Sequence, residues 1–127
     1  MKKTLCFFVA VGTLMSGCHF SYSQEYLLKH PKVLQSEAEE CERSSKVTSY
    51  CDSVKNISYD LTEALETQQN NPLNFGQQIM QAQEELAVAK EKMHQIKSAQ
   101  TKAAYQAALQ KVQVMLAAVA VDLVKVN

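Results

Sequence analysis

The sequence predicts an all-α protein with one small domain. Its 127 residues include only three glycines and two prolines, the residues that most often interrupt helices. Alanine, glutamine, leucine, lysine and glutamate, which all favour helices, are frequent. This composition argues against a β-sandwich, a barrel or a doubly wound sheet. We predict a disulfide-locked helical hairpin followed by either a long bent helix or a second helical hairpin.

Residues 1–17 have the pattern of an export signal. Lys2 and Lys3 give a positive start, residues 4–11 are mostly apolar, and residues 12–17 are mostly small. Including the small residues that follow, polarity returns after about 11 residues, short of the roughly 20 that a transmembrane helix needs. The segment therefore predicts export and does not predict a permanent membrane span.

Residues 14–18, Leu-Met-Ser-Gly-Cys, resemble the lipobox of bacterial lipoproteins. The resemblance implies that Cys18 carries diacylglycerol through a thioether and becomes the first residue after cleavage. Since His19 follows it, the resemblance also implies the outer membrane, facing the periplasm or the cell surface. An ordinary secretory signal that leaves Cys18 as a free thiol is the alternative, and Cys6 is removed in either case.

Cleavage before Cys18 removes Lys2 and Lys3 from the 13 basic residues and none of the 13 acidic ones, leaving an acidic excess of two. Membrane attachment would therefore come from the acyl chains and not from a basic surface. The balanced charge also argues against a nucleic-acid partner, because phosphate binding requires a basic excess or stripe. The sequence has no phosphate-binding loop, nucleophile elbow or HExxH motif, so we predict no enzymatic activity, no metal and no cofactor besides the lipid on Cys18.

Residues 18–30 are predicted to form a lipidated tether, since 19–24 is polar and aromatic without a sustained period. Pro31 suits the first turn of a helix and disfavours a helical His30, so a first helix is expected over 31–43. A second is expected over 50–66, opened by Ser49 with Asp52 three residues later. Together they predict an antiparallel hairpin over 31–69.

Cys41 and Cys51 fall on either side of the turn in this hairpin. In an oxidising periplasm we expect them to form a structural disulfide, worth about 2.8 kcal/mol for an 11-residue loop on the chain-entropy model. A redox-active pair or half of a metal site are the competing interpretations. The wide spacing and the lack of a nearby histidine in a zinc pattern argue against both.

Residues 70–76 interrupt the helical pattern and predict a turn, after which 77–127 has no glycine or proline. This region could form one helix of about 75 Å or two helices folded back on each other. An apolar stripe that includes Ile79, Leu86 and Met93 changes phase at 97–102 before a second stripe begins at Tyr105. With this phase change, the sequence favours the bent helix and the hairpin about equally.

The second stripe supplies the candidate interaction residues: Tyr105, Leu109, Val112, Leu116, Val119 and Leu123. Residues 114–121 are all apolar, but Gln110, Lys111, Gln113 and Asp122 surround them and argue against a transmembrane span. We expect an amphipathic helix that packs within the molecule. The alternative is that its stripe contacts a second copy of the chain or a partner helix.

Cys18, then 26–31 (Tyr-Leu-Leu-Lys-His-Pro), then Cys41 and Cys51 around a polar stretch resemble the EexN-like entry-exclusion lipoproteins of conjugative elements. The resemblance covers residues 1–65. It implies a small lipoprotein of a conjugation or type IV secretion system that acts by contact. A structural envelope spacer that self-associates through a long C-terminal helix is a second hypothesis. A periplasmic binding module or enzyme, which needs a formed pocket, is a third.

Overall fold

The computed structural model describes residues 21–45 and 47–125, which form five helices and no strand. The helices are α1 (Gln24–Lys29), α2 (Pro31–Arg43), α3 (Ser49–Asn70), α4 (Pro72–Gln95) and α5 (Ala99–Lys125). The predicted all-α fold is confirmed. The export signal, the lipobox-like segment and Cys18 lie outside the described residues.

The first predicted hairpin is formed by α2 and α3. Pro31 occupies the first turn of α2, as its missing N–H and fixed φ favour. The cap of α3 is Thr48 and not Ser49: the Thr48 hydroxyl accepts a hydrogen bond from the backbone N–H of Cys51 at 3.1 Å. Between the helices, Ser45 has φ 48°, a left-handed conformation that reverses the chain.

Helix α1 lies inside the segment for which the sequence predicted only a tether. The Ser23 side chain accepts a hydrogen bond from the backbone N–H of Tyr26 and caps it. Leu27 and Leu28 are both buried, at 1% and 5% exposure. Six residues are too few to show an apolar period in the sequence. A helix this short is also marginal in isolation, so α1 depends on packing against the rest of the molecule.

The turn predicted over 70–76 is reduced to one residue, Asn71. Its side chain accepts a hydrogen bond from the backbone N–H of Asn74 at 3.0 Å, and Pro72 occupies the first turn of α4. Helix α3 therefore extends to Asn70, beyond its predicted end at residue 66. Gly76 lies inside α4, where a glycine lowers the stability of the helix only modestly compared with alanine.

Of the two arrangements open for 77–127, the structure has the hairpin. Helix α4 ends at Gln95 and α5 begins at Ala99. The Ser98 hydroxyl accepts a hydrogen bond from the backbone N–H of Thr101, and the Thr101 hydroxyl accepts one from the N–H of Ser98. This reciprocal cap resembles a capping box and satisfies two of the N–H groups that a helix start leaves unpaired.

The core lies where α5 packs against α3, with α1, α2 and α4 around it. Leu27 of α1 and Val54 of α3 are the largest side chains with almost no exposure. Other members of the cluster are Leu28, Leu34, Cys41, Cys51, Ile57, Leu61, Ala64, Phe75, Val114 and Ala118. Every helix contributes to this cluster, so the five helices share one core.

Helix α5 is more uniformly apolar than an amphipathic helix. Within the described residues, Ala99–Val124 is the one helix whose length and composition would suffice to cross a membrane. A mostly buried core helix of a soluble protein can meet the same criterion, but here only 22% of the apolar window is buried, including Val114 and Ala118 in the shared core. On other sides of the helix, Leu116, Leu123 and Val124 are exposed.

Replacing Lys111 with glutamine is expected to raise the pKa of the Glu85 carboxyl toward its ordinary value. Lys111 Nζ donates a hydrogen bond to Glu85 Oε2 at 2.8 Å across the α4–α5 hairpin. That bond, together with the positive charge of the lysine, lowers the pKa of Glu85. NMR titration of the Glu85 carboxyl measures the change.

The same contact sets the direction of a small pH effect on stability. Because the folded-state pKa of Glu85 is depressed, the contact stabilises the fold above the unfolded-state pKa and is lost as pH falls through the folded-state value. Lys29→Gln is the matched control, since it breaks the Lys29–Glu25 pair on α1 and should leave Glu85 unchanged. An unaltered Glu85 titration in Lys111→Gln would contradict this contact between α4 and α5.

Candidate functional site

The Cys41–Cys51 disulfide is present and joins the end of α2 to the start of α3. The two Cα atoms are 5.5 Å apart, and both cysteines are buried in the shared core. The Thr48 cap fixes the first turn of α3 and so places Cys51 opposite Cys41. The bridge closes the hairpin at the end where the connecting turn lies.

A side-chain hydrogen bond crosses the same hairpin next to the disulfide. The Tyr50 hydroxyl donates to Glu37 Oε2 at 2.9 Å. Partial burial of the phenol and its bond to the carboxylate raise the pKa of Tyr50 to about 12. A tyrosine of ordinary pKa is already protonated at neutral pH, so the raised pKa extends to more alkaline pH the range over which Tyr50 donates this bond between α2 and α3.

An aromatic column runs along α1 and reaches the start of α2. The rings of Tyr22 and Tyr26 are stacked with centroids 5.0 Å apart, and those of Tyr26 and His30 are stacked at 4.0 Å. His30 Nδ1 also lies 2.8 Å from the backbone oxygen of Tyr26. The Tyr26–His30–Pro31 pattern that carried the family resemblance thus forms the joint between α1 and α2.

An apolar groove lies between this joint and the C-terminal half of α5. It encloses about 680 Å³. Its apolar lining is Leu28, Pro31, Leu116, Ala120, Val121 and Val124. The Lys29–Glu25 ion pair and Lys32 lie at its rim. The groove was not predicted from the sequence, because residues 18–30 were assigned to a tether and α1 was not placed beside α5.

The predicted interaction stripe on α5 is divided by packing. Val112 is buried, and Tyr105, Leu109 and Val119 are half-buried. Leu116 and Leu123 are 47% and 64% exposed. The six residues do not form one continuous exposed surface, since α5 turns part of the stripe toward α3 and α4. Intramolecular packing accounts for Val112 and Val119, and Leu116 belongs to the groove.

A second set of exposed apolar side chains follows the outer side of α4. Leu73, Met80 and Val88 are 77%, 65% and 51% exposed, and Ile96 at the hairpin turn is 61% exposed. The spacing of seven and eight residues keeps the first three near one side of the helix. We call these four residues the α4 surface. It is separate from the groove, which α4 does not line.

Side chains that could bind a metal ion are dispersed through the described part of the chain. Between residues 21 and 125, leaving out 46, no three His, Cys, Asp or Glu side chains are grouped so that they could hold a metal ion. His94 is exposed near the end of α4. The features that stand out are therefore a buried disulfide, an apolar groove and an apolar α4 surface.

These features define a small, disulfide-locked helical protein whose exposed apolar surfaces suit contact with other molecules. The chain matches no protein-family model, no curated protein and no solved structure.

Proposed function

We propose that this chain is a small lipoprotein anchored in the outer membrane that acts by protein–protein contact. It serves in entry exclusion or as an envelope component of a conjugation or type IV secretion system. The observation that carries the proposal is the order of features along the chain. A lipobox-like segment ending at Cys18 leads within a few residues into a helical body closed by a buried disulfide.

The disulfide supports the location, and the surfaces support action by contact. Structural disulfides are typical of oxidising compartments such as the periplasm and are rare in the cytosol. Exposed apolar residues that cluster on one side of a helix are typical of interaction sites. The α4 surface lies on a peripheral helix of the fold, where a partner could reach it without displacing the core.

Recipient cells that make this chain are expected to receive fewer transconjugants from donors of at least one conjugative element in a test panel. Cys18→Ser should return transfer to the level of recipients that lack the chain, because the protein would no longer be held at the envelope. Mating frequency measures the effect, and labelled fatty-acid incorporation measures the anchor.

Cys6→Ser is the matched control, since Cys6 lies in the signal segment and outside the lipobox-like sequence. It should keep both the lipid and the exclusion. If Cys18→Ser lost the lipid but excluded donors as well as the wild type does, anchoring would be irrelevant to exclusion. Equal transfer into recipients with and without the wild-type chain, for every donor in the panel, would argue against the exclusion role.

The alternative, a structural spacer that self-associates through the C-terminal helix, makes a different prediction for crosslinking. A photo-crosslinking residue at Met80 or Val88 in living cells should capture another envelope protein if the chain acts by contact. At Leu123 on α5, which is 64% exposed, the same residue should capture a second copy of the chain if the spacer hypothesis holds. Val112 provides a buried control position, at 6% exposure.

The folded-back C-terminal region favours the contact protein over the spacer. A single helix over 77–126 would extend about 75 Å, whereas α5 alone, at 27 residues, extends about 40 Å. The hairpin halves the reach of this region from the membrane. A protein built to separate two layers gains nothing from this shortening, whereas a contact protein gains a compact helical surface.

A further inference from the structure

We infer that the groove between α1, α2 and α5 docks on the lipid bilayer, with its apolar lining against acyl chains and its lysines near the headgroups. The inference rests on the Cys18 anchor of the proposed function and adds an orientation to it. The anchored molecule would lie with this side against the membrane and would turn other parts of its surface toward the periplasm or the exterior.

The first argument is the length of the connection to the anchor. Five residues lie between Cys18 and Gln24, the first residue of α1, so six Cα-to-Cα steps connect the two. Fully extended, they span at most about 22 Å. Helix α1 itself lines the groove through Leu28 and Lys29. A lipid on Cys18 therefore holds the bilayer close to the groove, and the bilayer is the nearest large apolar phase available to it.

The second argument is the chemistry of the groove. Its apolar lining continues onto exposed residues of α5, with Val124 at 77% exposure. Its charged lining residues are Lys29 and Glu25, which form an ion pair, and Lys32, which forms no ion pair with any residue in 21–45 or 47–125. An apolar surface with basic residues at its edge is the composition that interfacial helices present to anionic lipid.

The third argument is energetic. The diacylglycerol that the lipobox resemblance implies for Cys18 has two acyl chains, which suffice for stable attachment, so the groove would determine the orientation of the molecule and not its attachment. The acidic excess of the mature chain works against electrostatic binding by the protein as a whole. A local apolar groove with one unpaired lysine, Lys32, supplies contacts where the anchor brings the protein to the surface.

The absence of tryptophan from the sequence allows a direct test. Full-length lipidated protein carrying Leu116→Trp is reconstituted into phosphatidylglycerol–phosphatidylethanolamine vesicles, with and without bromine on the acyl chains. We expect bromine to reduce its fluorescence roughly twofold or more, because a docked face lies about 5–10 Å into the headgroup and acyl boundary. Ile96→Trp is the matched control and should be quenched little.

Ile96 suits the control because it is apolar, 61% exposed and located at the far turn of the α4–α5 hairpin. Seventeen residues of α5 lie between its start near that turn and Leu116, roughly 26 Å of helix. Val124→Trp gives a second probe in the groove if Leu116→Trp does not fold. Helicity by circular dichroism identifies any variant that fails to fold.

Vesicle flotation separates failure of the groove from failure of the anchor. Wild-type protein that floats, with quenching at Leu116→Trp and not at Ile96→Trp, supports the inference. Protein that floats with equal quenching at both positions, or none at either, overturns the docked groove and leaves the anchor standing. A blue-shifted Leu116→Trp emission without quenching assigns the groove to a second copy and also overturns the inference. Wild-type protein that does not float overturns the anchor and the orientation together.

Discussion

Reduction of the Cys41–Cys51 disulfide is expected to lower the free energy of unfolding by about 2.8 kcal/mol, from closure of an 11-residue loop in the chain-entropy model. For a chain of this size, that corresponds to a melting temperature lower by roughly 10–20 °C. The loss is large because one small core serves five helices, so the bridge supplies a substantial part of the net stability. Denaturant unfolding of oxidised and reduced wild-type protein measures it.

Alanine variants separate the contribution of the disulfide bond to stability from the contribution of the packing of the two sulfur atoms. Cys41→Ala and Cys51→Ala each break the same bond, so the double variant should be little less stable than either single variant. If the two losses were simply additive, each cysteine would contribute through its own packing and not through the bridge. An oxidised and a reduced protein of equal stability would contradict the predicted role of the bridge.

The sequence predicted the parts of the fold that have strong local signals. Pro31 and the stripe of Leu34 and Cys41 predicted α2 with the bounds that the structure has. The two cysteines on either side of a polar turn predicted the disulfide. In these cases a residue of restricted conformation, or a pair with specific chemistry, determined the result without knowledge of distant contacts.

Other features depend on contacts that a local pattern does not contain. Helix α1 has six residues, and its burial of Leu27 depends on a core formed by residues far along the chain. Whether 77–127 forms a bent helix or a hairpin depends on the reciprocal hydrogen bonds between Ser98 and Thr101. In the sequence alone, these two residues cannot be told apart from an ordinary polar stretch. The predicted turn over 70–76 was too long because Asn71 alone caps α4.

The candidate surfaces were harder to predict than the helices. The stripe from Tyr105 to Leu123 predicted an amphipathic helix, but α5 is more uniformly apolar, with some apolar sides that pack and others that stay exposed. Which side was which depended on where α3 and α4 contact it. The groove required α1 and α5 to be neighbours although their sequences are far apart, and no pattern in either segment indicates this.

Leu27→Ala is expected to cost about 2–5 kcal/mol, as large as or larger than loss of the disulfide. Leu27 is 1% exposed and shares the core cluster with Leu34 of α2 and Val54 of α3. Truncation to alanine would remove apolar contacts and leave a cavity where the helices meet, while keeping a residue that favours helix. Denaturant unfolding under oxidising conditions measures the loss with the bridge intact.

Leu73→Ala is the matched control, because Leu73 is 77% exposed at the start of α4 and should change stability by no more than about 0.5 kcal/mol. The comparison decides whether α1 belongs to the folded body. If Leu27→Ala were no more destabilising than Leu73→Ala, α1 would not pack as described, and residues 18–30 would be the extended tether that the sequence alone predicts. The groove would then lose one of its walls, so the orientation inferred for the molecule on the membrane depends on the same leucine.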